Sequence, residues 1–98
     1  MRRLTDIIWS GPAERDLVEI LEFYSAIDEE LADRLAGLIL QEPLRLLEFP
    51  LIGPPVGARD FRKWQVRGTP FLLLYAYRGG HIEIRRVRHS REEWRPEP

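Results

Sequence analysis

Apolar and polar positions change rhythm along this chain, and each change marks a different kind of element. Leu4 to Trp9 reads as a short strand, because Ile7, Ile8 and Trp9 are β-formers. Ser10 stands where a helix N-cap belongs, and Gly11-Pro12 enters the first turn. From Ala13 to about Ala26 the residues Ala13, Leu17, Ile20, Leu21 and Tyr24 recur at helical spacing, with Val18 beside them. Glu14, Asp16, Glu19 and Glu22 leave the other face wet and acidic, and the first two suit the positive end of the helix dipole. Asp28 is a second N-cap, Glu29-Glu30 suit the turn after it, and Leu31, Leu35, Leu38 and Ile39 form the next stripe. Pro43 lacks an N–H and clashes with the preceding turn. It predicts either a kink or a break from which Pro43 starts a further helical turn through Leu44–Leu47. The short loop around Ile27-Asp28 folds the two helices into an antiparallel αα-hairpin.

The second half runs at the period of strands. Phe49–Gly57 is rich in Pro and Gly, too short for an interdomain linker and too apolar for disorder, so it reads as an ordered loop over the core. Phe61–Val66 is a strand with Arg62, Trp64 and Val66 on one face and Phe61, Lys63 and Gln65 on the other. Arg67-Gly68-Thr69-Pro70 turns the chain into Phe71–Tyr77, an unbroken apolar run and hence a buried strand. Gly79-Gly80 supplies the positive φ angles of a two-residue hairpin turn. In the last strand Ile82 and Ile84 alternate, but Val87 falls out of phase. A β-bulge near Arg85-Arg86 would return Val87 to the core face; otherwise the strand is two-sided. The tail from Ser90 reads as one turn pinned by Trp94. The sum is an α+β fold of order β-α-α-β-β-β, an antiparallel sheet with an αα-hairpin on one face, within one domain spanning 1–98.

Charge sharpens this picture. Residues 1–50 hold five cations and eleven anions, whereas residues 51–98 hold ten cations, nine of them Arg, and five anions. Such asymmetry points to an acidic or nucleic-acid partner for the C-terminal half, against the plainer reading of a charged surface segregated by chance. The absence of Cys excludes disulfides and thiolate metal sites and suits the cytoplasm. The first apolar run is too short for a signal peptide, and none approaches the ~20 residues of a membrane span. The only histidines, His81 and His89, lack ligand-like spacing, so neither a metal nor a cofactor is expected. The serines have no nucleophile-elbow context.

One basic constellation could carry chemistry: Arg59, Arg62, Lys63, Arg67, Arg85, Arg86, Arg88, His89 and Arg91. On adjacent strands these cations could stabilise a pentacoordinate phosphate, with His89 moving the proton in a metal-independent RNA cleavage. The favoured alternative is a solvated Arg face with His89 hydrogen-bonded at a strand end. Leu17, Leu21, Leu35 and Leu38 read first as core. Surplus Leu between Leu40 and Leu51 is a candidate surface for a protein partner.

Taken together, Phe49-Pro50…Gly53, Ala58-Arg59, Gly68-Thr69-Pro70-Phe71…Tyr75 and Ile82–His89, ending near Trp94, resemble the RelE/ParE toxin superfamily, in detail its ParE branch. Tandem Arg85-Arg86 departs from that pattern, which more often has an apolar residue before the Arg, and Pro43 is a second departure. The resemblance implies a toxin of a type II toxin–antitoxin system that blocks growth by poisoning DNA gyrase, without being an enzyme. It implies a cognate ParD-like antitoxin, two toxins with two antitoxins or a higher multiple, and operator DNA bound only through the antitoxin. Arg59, Tyr75, Arg86 and His89 match the family pattern. Candidates for binding antitoxin or target are Arg59, Arg62, Trp64, Arg67, Arg85, Arg86, Arg88, His89, Arg91 and Trp94, with Leu17, Leu21, Leu35 and Leu38. The alternative is a RelE-type, ribosome-dependent mRNA endonuclease using Arg59, Arg86, His89 and Arg91, although no tyrosine lies in the tail to assist.

Overall fold

The computed structural model describes residues 6–57 and 59–91. The elements run β1 (Ile7–Trp9), α1 (Gly11–Ser25), α2 (Glu29–Gln41), α3 (Pro43–Glu48), β2 (Pro55–Val56), β3 (Phe61–Gln65), β4 (Phe71–Arg78) and β5 (His81–His89). The turn expected around Trp94 lies outside the described residues.

Both helix starts are set by short polar side chains. Ser10 Oγ accepts the Ala13 N–H at 3.1 Å and donates to the Arg85 carbonyl at 2.9 Å, while the Ser10 N–H donates to the Ile84 carbonyl at 3.0 Å. One serine thereby begins α1 and fastens it to β5. Asp28 caps α2 by accepting from the Glu30 and Leu31 N–H groups. Of the two readings of Pro43, the break is the observed one. Pro43 opens the short helix α3, where its missing N–H is no loss.

The sheet order is β1-β5-β4-β3-β2. The β-α-α-β-β-β order is present with the hairpin on one face, and the structure adds α3 and the two-residue β2. The sheet is mixed rather than wholly antiparallel, because β1 lies parallel to β5, Ile7 opposite Ile82 and Trp9 opposite Ile84. The chain leaves β1 into helices that cross one face. After the antiparallel run β2 to β5, the last strand reaches β1 pointing the same way.

The β5 phase problem is solved by a bulge. Leu74 pairs with Arg86 but Tyr75 pairs with Ile84, so Arg85 is the extra residue. Ile82, Ile84 and Val87 consequently all reach the core. There they meet Phe71, Leu73 and Tyr75 from β4 and Leu35, Ile39, Leu46 and Leu47 from the helices. Gly79 (φ 56°) and Gly80 (φ 84°) form the β4–β5 turn, where side chains would be strained. No described helix is long and apolar enough to cross a membrane.

Candidate functional site

The site begins with a carboxylate on α1. β1 ends at Trp9, so the edge of β5 beyond Ile84 has no strand beside it. Asp16 fills that place. Its Oδ2 accepts the Val87 N–H at 2.9 Å, and the Arg86 guanidinium grips the same carboxylate through Nε at 2.7 Å and Nη2 at 3.0 Å. Burial alone would push the Asp16 carboxyl up. The bonds from Arg86 and Val87, with the charges of Arg86 and Arg88, outweigh it and hold the group below the usual carboxylate range.

Below this clamp lies an open groove of about 420 Å³ between α1 and the end of the β4–β5 ladder. Ile20, Tyr24 and Phe71 give it an apolar floor, and Phe23 stands 62% exposed at its rim. Arg86, Arg88 and His89 line the strand side, with Glu19 on the helix side. The His89 ring sits edge-on to Phe71, centroids 5.5 Å apart, and Phe71 is edge-on to Tyr24 at 6.1 Å. His89 Nδ1 accepts the Arg91 N–H at 3.1 Å, so its other nitrogen carries the proton in the neutral ring. An apolar floor under a cationic wall suits a segment that combines acidic and apolar side chains.

The remaining predicted residues are dispersed. Arg62 Nη1 donates to the carbonyls of Gly53 at 2.7 Å and Leu51 at 3.2 Å. Trp64 Nε1 donates to Glu42 at 2.8 Å, and Arg67 Nε lies 3.4 Å from the same carboxylate. Arg85 pairs with Glu83 at 3.4 Å and lies over the Phe61 ring at 5.4 Å. Arg59 is exposed just before β3. Phe61 pairs with Ala76, and His89 pairs with Phe71, so Arg59 and His89 sit at opposite ends of the ladder and two strands apart. That separation is roughly 17 Å along the strands and about 10 Å across them. Arg91 is exposed beside His89. Leu35 is core, Leu17 and Leu21 are half-buried against it, and Leu38 is exposed. Trp94 is outside the described residues. Among the described residues no group of three His, Asp or Glu side chains is arranged to hold a metal ion.

A family model for the ParE toxin of type II toxin–antitoxin systems (parDE) matches residues 7–94. The chain belongs to the ParE toxin family. Its backbone is similar to a chain of the chromosomal ParDE toxin–antitoxin system from P. aeruginosa, with a TM-score of 0.72 and 23% identity over 85% of this chain and 92% of that one. At that identity the likeness is one of fold. No curated protein matches the chain by sequence.

Within this ParE-family chain, two of the pattern residues are occupied inside the molecule. Arg86 is held by Asp16, and Tyr75 is fully buried. The Tyr75 hydroxyl donates to the Pro50 carbonyl at 2.7 Å and accepts the Gly53 N–H at 3.0 Å. Sequence reasoning placed Asp16 on a wet helix face and passed over Glu42. Asp16 in fact keeps a side-chain exposure of only 15% (Arg86 covers it), and Glu42 keeps 7% beneath Trp64, Arg45 and Arg67. Helical period alone could not distinguish Asp16 from Glu14 or Glu22. The available signal was Arg86 itself, a cation following the phase break in β5.

Proposed function

We propose that this ParE-family toxin arrests growth by binding DNA gyrase, without catalysing a reaction of its own, and that a ParD-like antitoxin neutralises it. The single observation that carries the non-enzymatic reading is the clamp. Arg86, the cation a nuclease would aim at a phosphate, is gripped by Asp16 from the side and locked to the β5 edge. Arg59 stands at the far end of the sheet from His89, so the four residues of the ribonuclease alternative do not converge.

The antitoxin contributes a segment with acidic and apolar side chains that folds as it docks in the α1–β5 groove. Phe23, Ile20 and Phe71 receive its apolar side chains, and Arg88 and Arg91 face its carboxylates. Two such pairs join through the antitoxin, which alone contacts operator DNA, in the cytoplasm. The side-by-side test is a gyrase supercoiling assay and a translation assay with the purified chain. Supercoiling is inhibited and ribosome-bound mRNA survives. Cleaved mRNA that vanishes in His89→Ala, with supercoiling untouched, would reverse the assignment in favour of the endonuclease.

A further inference from the structure

Glu42, between α2 and α3, is the charged residue that the described fold buries. Its Oε2 accepts the Trp64 Nε1–H at 2.8 Å and draws in two guanidinium groups, Arg67 through Nε at 3.4 Å and Arg45 through Nε at 3.8 Å. Two cations that share one oxygen stand side by side, and one carboxylate balances only one of them. Among the described residues, the terminal nitrogens of Arg45 and Arg67 have no hydrogen-bond or ion-pair partner. Arg45 Nε is buried and makes no hydrogen bond. A buried donor without its acceptor marks an arrangement one partner short.

The pair borders an open concavity of about 650 Å³ where the end of α2, the helix α3 and the turn after β3 meet. Leu38, 36% exposed, and Leu44, 45% exposed, supply its apolar patches, and Gln41 and Glu48 also line it. Planar forks beside apolar side chains suit a carboxylate carried on an apolar segment. Glu42 holds both guanidinium groups in place beforehand, so they lose little freedom when a ligand arrives.

We propose that this arginine pair is a second carboxylate-binding site for the antitoxin, separate from the α1–β5 groove. An Asp or Glu side chain of the docking segment bridges the terminal nitrogens of Arg45 and Arg67, and an apolar neighbour rests on Leu38 and Leu44. The proposal rests on the antitoxin reading above and extends it. Charge and position select the occupant. Glu48 beside the pair repels a continuous run of phosphates, whereas a single carboxylate can meet the two cations and avoid it. The chemistry repeats that of the groove, apolar side chains next to arginine. The two sites also lie at one end of the sheet: Arg67 follows β3, and His89 pairs with Phe71 at the start of β4. Only β4 separates β3 from β5, roughly 10 Å across the strands, a span of a few extended residues. One segment can therefore hold both sites, and the second contact gains from its tether to the first.

The test measures the affinity of the full chain for the antitoxin encoded beside it, with the variants Arg67→Gln, Arg45→Gln and Arg67→Lys. Circular dichroism and a melting temperature accompany each, because both arginines also support Glu42. Arg67→Gln and Arg45→Gln each weaken binding by about 10-fold, the scale of one charge-assisted bond. Arg67→Lys keeps the charge beside Glu42 and the wild-type melting temperature, yet binds more weakly than the wild type because it lacks the fork. Added to Arg88→Glu in the groove, Arg67→Gln multiplies the loss, as separate contacts do. Unchanged affinity in both Gln variants overturns the proposal and leaves the groove reading standing. So does a double variant no weaker than Arg88→Glu alone, or Arg67→Lys that binds as wild type, which reduces Arg67 to a support for Glu42. A single-stranded oligonucleotide that binds the wild type but not Arg67→Gln, with antitoxin affinity unchanged, gives the pair to phosphate and likewise overturns it. A wild-type chain that does not bind the antitoxin overturns both readings.

Discussion

Asp16 does the work of a missing strand with one side chain. Replacing it by Asn keeps the shape but removes the charge from a bidentate pair and weakens the bond to Val87. Asp16→Asn is expected to lower stability by about 2 kcal/mol, the range for hydrogen bonds to charged groups. The pH dependence has a definite sign. The folded-state carboxyl titrates below its unfolded value, so its stabilising effect is complete above about pH 4 and is lost as pH falls through the folded value. Denaturant titrations at neutral and acidic pH should show the wild type converging on Asp16→Asn in acid. Tyr75 behaves in the opposite sense. Burial raises its phenol above the ordinary value, and the opposing Gly53 bond and Arg62 charge only reduce the rise. Its contribution is complete below about pH 10 and fades as pH climbs through the raised value. Tyr75→Phe leaves the Pro50 carbonyl and Gly53 N–H without their bridge and should cost about 1–3 kcal/mol. Its stability should also lose the alkaline decline that the wild type shows above pH ~10.

At the scale of elements, Ser10 joins two of them. Ser10→Ala removes the α1 cap and the bond to the bulge carbonyl together, so its loss should exceed the ~1 kcal/mol of a cap alone. Thermal melts of Ser10→Ala beside Ser10→Thr show whether the loss belongs to the hydroxyl, because threonine retains it. Here the sequence was most legible. Ser10, Asp28, Pro43 and Gly79-Gly80 act on backbone within a few residues, and each produced the feature its chemistry demands. The bulge was one of two solutions that the broken phase allowed, and the burial of Ile82, Ile84 and Val87 together selects it. The Asp16–Arg86 pair was not, since seventy residues of chain separate its partners. Glu42 stayed hidden for the same reason: a carboxylate after a leucine stripe looks like surface until Trp64 arrives from β3 and Arg67 from the turn that follows it.

For the whole molecule, charge segregation in the sequence marked the C-terminal half as basic but could not say which of its cations share a surface. Arg62, Arg67 and Arg85 are engaged elsewhere on the molecule, whereas Arg86, Arg88 and His89 line the groove. Arg88→Glu in the full chain is accordingly expected to weaken antitoxin binding by roughly 10-fold or more, mostly through slower association that steepens with falling salt. Surface plasmon resonance across a salt series reads both parts. Family membership was legible because its pattern residues shape the backbone: Gly53 fits under Tyr75, and nothing larger does.

The parallel pairing of β1 with β5 sets a schedule for this protein. The first strand made at the ribosome has to wait for the last, since Ile7 meets Ile82 only after almost the whole chain has emerged. Until then the helical hairpin lacks the strand whose Ile82, Ile84 and Val87 complete its core. A nascent or prematurely terminated chain therefore has neither a finished groove nor a finished sheet. Late closure therefore makes the groove between α1 and β5 a property of chains that have reached β5.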